Sequence, residues 1–97
     1  MPTFQRTSRF DRDWKHLTAD AQTRFRHVVL TEFVPDLAKG VFRGGLRVKG
    51  VEAVPNVFEM TWAADGRATF SYGRQQRRGE PHVIWRRIGT HDVFRDP

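Results

Sequence analysis

The sequence predicts an α+β fold: an N-terminal helical hairpin packed on an antiparallel sheet, in the order β-α-α-β-β-β-β. Three observations predict it. Apolar residues recur at helical spacing before Gly40, they alternate at strand spacing after it, and Asp65-Gly66 marks a hairpin between two alternating runs. Helices followed by a run of strands segregate into two layers. At 97 residues the chain is expected to form a single domain, 1–97, with one modest core.

Thr3-Phe4-Gln5-Arg6 reads as a short first strand. Ser8, three residues before Asp11, resembles a capping-box start, and Phe10, Trp14 and Leu17 follow on one helical face, predicting a helix over 9–17. Thr18 is the expected N-cap of a second helix, with Asp20 in its first turn. Its apolar face is Phe25, Val28, Val29 and Phe33. Pro35 lacks a backbone donor, so this helix is expected to stop or kink near Phe33, with one more turn ending at Gly40.

Beyond Gly40 the period changes to two. In 46–51, Leu46 and Val48 share one face, and Arg47 and Lys49 the other. In 57–62, Phe58, Met60 and Trp62 point inward, and Glu59 and Thr61 outward. Residues 63–66 make the turn, and Ala68, Phe70 and Tyr72 return on one face. A basic loop over 73–81 carries Arg74, Arg77 and Arg78, and 82–88 is the last strand. The tail from Gly89 turns out of it. Arg47, Lys49, Glu59, Arg67 and Thr69 are thus expected on one open sheet face, with His91 at its rim.

Composition narrows the chemistry. Seventeen Lys+Arg oppose eleven Asp+Glu, a net charge of +6, and only Lys15, Lys39 and Lys49 are lysines. The Arg fork suits phosphate and stacks on bases, so a polyanionic partner is expected. The chain has no cysteine, which excludes disulfides, thiolate metal sites and a Cys nucleophile. No apolar run reaches membrane-spanning length and no signal-like segment opens the sequence, so no membrane partner and a cytoplasmic location are expected. His16, His27 and His82 have no metal-ligand spacing. Trp62, Trp85 and Phe70 are expected in the core.

Three stretches resemble the RelE/ParE superfamily of toxins, nearest to its RelE/YafQ-type members. Phe10 to Leu17 is similar to the first helix. Phe58-Glu59-Met60 with Asp65 to Tyr72 is similar to the central hairpin. Arg87-Ile88-Gly89-Thr90-His91-Asp92-Val93-Phe94 resembles the YafQ-type ending. The resemblance implies a RelE-like fold, cleavage of mRNA at the ribosome without metal or cofactor, and a cognate antitoxin partner in a type II system. It places His91 on the catalytic histidine, Phe94 on the terminal aromatic and Arg87 on the basic residue. Thr69 stands where an arginine is usual, with Arg67 two residues earlier as its substitute, and Thr61 stands where a histidine is usual.

Such cleavage needs an acid, a base and cations on the phosphate. The candidate catalytic set is His91, Arg87, Arg67 and Glu59, with Asp92 as an alternative partner for His91. Arg47, Lys49, Arg43 and Phe94 are the candidate RNA-binding residues. A second reading keeps the fold without nuclease chemistry, as a gyrase-directed toxin or a basic nucleic-acid-binding module.

Overall fold

The computed structural model describes residues 1–97. β1 (Thr3–Arg6) leads into α1 (Ser8–Lys15). Thr7, not Ser8, caps α1: its extended backbone lets the hydroxyl accept from Phe10 N at 3.1 Å. Thr18 caps α2 (Ala19–Val28) in the same way through Ala21 N. Pro35 does not stop the helix. The hydrogen-bond ladder widens to a π turn over Val29–Phe33, and Pro35 falls in the first turn of α3 (Val34–Lys39), where a missing N–H leaves little unsatisfied. Gly40 ends α3 in the left-handed region, φ 78°, as glycine readily can.

A 3-10 turn (Gly44–Leu46) precedes β2 (Lys49–Gly50), β3 (Phe58–Thr61), β4 (Arg67–Arg77) and β5 (Glu80–Gly89), and a second 3-10 turn (His91–Arg95) forms the tail. The sheet order is β1-β5-β4-β3-β2. β2 to β5 are antiparallel, whereas β1 joins β5 in parallel. The helices carry the chain from one sheet edge to the other, so the first and last strands become neighbours.

One face of the sheet packs on the helices through rings. Phe33, fully buried, stacks on Phe42 and meets Phe70 and Trp85 at centroid distances of 5.2 and 5.1 Å. Phe25 meets Trp62 and Trp85 edge-on. Removing the Phe33 ring would cost about 3–5 kcal/mol, the usual range for a large buried aromatic.

Three expectations fail. Residues 46–51 are not one strand: Leu46 ends a 3-10 turn, Arg47 is left-handed (φ 49°) and only Lys49–Gly50 pair with β3, so Arg47 and Lys49 do not share a face by pleating. The loop expected over 73–81 is instead a long hairpin arm closed by Arg77 opposite Glu80, with Gly79 at φ 80°. Its exposed residues carry no hydrophobic alternation because nothing packs on them. Thr69 is buried rather than open, because the tail lies over the outer face of β4 and β5. Thr69 Oγ1 and Arg86 Nε both donate to the Pro97 main-chain oxygen at 3.1 Å, and Val93 is buried.

Candidate active site

The β3–β4 turn and the tail meet at the end of the sheet. Trp62 N donates to Gly66 O, and Gly66 N to Ala63 O, closing the turn. A side chain at residue 66 would not fit, since its Cβ would lie 2.7 Å from the Trp62 ring. Thr90 Oγ1 accepts from Asp92 N and starts the tail's 3-10 turn, which swings His91 back over the hairpin. There His91 Nδ1 lies 2.9 Å from Asp65 Oδ1. The Asp65 hydrogen bond and charge, with Asp92, hold the His91 imidazole above its ordinary pKa, while burial and nearby Arg67 oppose the shift. Asp65 is lowered in turn, chiefly by its bond from His91. With Nδ1–H committed to Asp65, Nε2 is the nitrogen left for chemistry, 3.6 Å from Asp92 Oδ1.

Arg67 sits at the base of the same turn. Its Nη1 donates to the carbonyls of Ala63, Ala64 and Gly66, the last at 3.0 Å. It faces Thr61 across β3 and Gly89 across β5, two residues before His91. His91, Asp65 and Arg67 are therefore one cluster. Lys49, Glu59 and Thr69 form the adjacent row, and Lys49 Nζ is 3.5 Å from Glu59 Oε1, so Glu59 has a cross-strand cation partner.

The other expected residues are placed differently. Arg87 turns to the β5 edge, where Asp13 of α1 takes its Nε at 2.6 Å and its Nη2 at 3.2 Å. The same carboxylate accepts Ile88 N, so Asp13 ties α1 to a strand edge that β1 does not reach. Arg43 belongs to another corner: Asp36 accepts from its backbone N–H, Nε and Nη2. Arg47 is exposed and lines a pocket shared with Arg67. Phe94 is half-buried on the tail. Sequence reasoning missed Asp65 as a partner, seeing only a turn residue. Its contact with His91 spans 26 positions, and no local pattern signals that.

No protein-family model matches the chain, nor does any curated protein sequence. Solved structures do match it over nearly their whole length. One is in the RelB-RelE antitoxin-toxin complex from Methanococcus jannaschii, with a TM-score of 0.63, 13% identity, and 95% of each chain covered. Another is in the E. coli DinJ-YafQ complex, with a TM-score of 0.63, 10% identity, and 96% of this chain and 97% of the other covered. A third is a copper-bound mutant toxin from Helicobacter pylori, with a TM-score of 0.66, 16% identity, and 95% and 97% covered. The fold is RelE-like. At these identities the likeness is one of fold, and the RelE-like frame sets His91 at the exit of β5 beside the central hairpin turn.

Proposed function

We propose that the chain is the toxin of a type II toxin–antitoxin pair and acts as an endoribonuclease on mRNA at the ribosome. The observation that carries this reading is the His91–Asp65 pair beside Arg67 on a RelE-like frame. An imidazole whose pKa is raised, chiefly by its hydrogen bond to Asp65, is suited to give its Nε2 proton to a leaving 5′-oxygen. The attacking 2′-oxygen loses its proton to Glu59 or to water, and the products are a 2′,3′-cyclic phosphate and a 5′-hydroxyl. Arg67 lies where it can offset phosphate charge that grows in the transition state. Arg87 serves by holding α1, β5 and the tail together through Asp13 and the Asp96 carbonyl.

A cognate antitoxin is the proposed protein partner. An apolar groove of about 670 Å³ runs between β1, α1 and α2, lined by Phe4, Phe10, Trp14, Val29 and Leu30. Leu30 is 63% exposed there, beside the outer edge of β1, which has no strand neighbour. An amphipathic segment would cover both.

The test uses 5′-labelled mRNA, with and without ribosomes. The wild type is expected to cut, and His91→Ala to cut at least about a hundredfold more slowly, the general acid–base scale. Equal rates would remove His91 from catalysis. One observation favours the non-nuclease reading: Glu59 is paired with Lys49 and half-buried. Arrest of DNA supercoiling without RNA cleavage would select it.

A further inference from the structure

β2 pairs with β3 only at Lys49–Glu59 and Gly50–Phe58, so Thr61 has no strand neighbour on that side. A pocket of about 360 Å³ opens at this free edge, between α2, the first 3-10 turn and the β3–β4 turn. Val28, Leu46 and Trp62 line it with three guanidinium side chains, those of Arg24, Arg47 and Arg67.

None of the three arginines has a carboxylate partner. Arg24 Nε donates to the Trp62 carbonyl at 3.3 Å, and Arg67 to turn carbonyls. The one acid at the pocket, Glu32, is 3.9 Å from Arg43. Trp62 Nε1 is the sole buried side-chain nitrogen or oxygen in the molecule that lacks a hydrogen-bond partner. An orphaned buried donor is costly, as are three clustered cations. Arg47 adds a left-handed backbone, φ 49° and ψ 41°, which a non-glycine residue adopts at a cost. An oxyanion would offset the three cations.

We propose that this pocket is an oxyanion site that takes a phosphate of single-stranded RNA. The proposal rests on the nuclease reading and says where the strand is held. Arg67 belongs both to the pocket and to the turn that carries Asp65, so a strand gripped here runs toward His91. Guanidinium forks match a phosphodiester's two free oxygens.

The test follows the Trp62 indole N–H signal by NMR while inorganic phosphate or a 2′-O-methyl RNA oligonucleotide is added. That oligonucleotide has no 2′-hydroxyl to attack, so binding is read apart from cleavage. Both probes are expected to move the signal, the oligonucleotide at far lower concentration. Arg24→Gln and Arg47→Gln should each weaken oligonucleotide binding about tenfold and lower the salt slope by roughly one. Arg74→Gln, on the distal hairpin arm, should leave affinity within about twofold. Unchanged melting temperatures would show that both pocket variants fold, as expected for exposed side chains. The proposal is overturned if the oligonucleotide binds with the Trp62 signal unmoved, or if both variants bind like the wild type. A signal moved by phosphate but not by the oligonucleotide would mark a free-anion site and overturn the RNA assignment. So would a signal that answers only to an acidic peptide. A wild type that binds as expected yet cuts no RNA would count against the nuclease reading and leave this site standing.

Discussion

Two corners of the molecule use arginine in opposite ways. At the end of α3, Arg43 is met by the buried Asp36 through three hydrogen bonds, with Glu32 nearby. At the free edge of β3, Arg24, Arg47 and Arg67 gather against one carboxylate, which itself faces Arg43. The first corner is closed: Asp36 takes the backbone N–H, Nε and Nη2 of Arg43, and the arrangement holds the loop after Gly40 to the helix. The second is open, with surplus positive charge. Net charge does not distinguish these two uses. Partners do.

The largest effect that would sharpen this contrast is on RNA affinity. Arg24→Gln combined with Arg47→Gln should lower it about a hundredfold, if the sites add, with the melting temperature unchanged or slightly raised. A double variant that unfolds would place these arginines in the closed class. Next in size is the closed corner. Asp36→Asn puts an amide donor against the guanidinium and should lower the melting temperature by several degrees without changing RNA affinity. An affinity loss there would break the comparison.

Acid titration separates the corners further. Hydrogen bonds from Arg43 hold Asp36 down at about 2 against an ordinary 3.8. A lowered carboxylate contributes stability that is present above its unfolded pKa and lost as pH falls through the folded one. Wild type should therefore lose stability between pH 3.8 and about 2 by a step that Asp36→Asn lacks, read from melting temperatures across that window. The smallest effect is at the tail. His91 is raised, chiefly by its bond to Asp65, so its contribution is full below its unfolded value of 6.5 and fades as pH climbs through the raised one. Amide exchange in 90–94 should quicken over that rise, beyond the intrinsic rate, and His91→Gln should remove the step.

Much of the frame was legible because it depends on local periods. The Thr18 cap, the Gly40 stop, the Asp65-Gly66 turn and the inward set Phe58, Met60 and Trp62 all stand as alternation and turn chemistry predict. What could not be read was set by distant contacts. Thr69 is a polar residue at an outward position, and only the tail folded over it, 28 positions away, makes it buried. Arg87 looks like a free cation until Asp13, 74 positions earlier, is brought beside it. The left-handed Arg47 broke an alternation that two apolar residues, Leu46 and Val48, had suggested. The candidate site was half visible: His91 and Arg67 were chosen from the sequence, and Asp65 and Arg24 come only from the fold.

The pair of His91 and Asp65 is the centre of this account, and the pH–rate profile of RNA cleavage tests it most directly. Wild type and Asp65→Asn would be compared across the neutral range on one labelled mRNA, with ribosomes present. Removing the carboxylate takes away the largest cause of the raised imidazole pKa. The limb of the profile set by His91 should then move to lower pH in Asp65→Asn, with a lower maximal rate and an unchanged melting temperature. An identical profile for the two proteins, or no cleavage by the wild type at any pH, would contradict the assignment of His91 and Asp65 as the reacting pair.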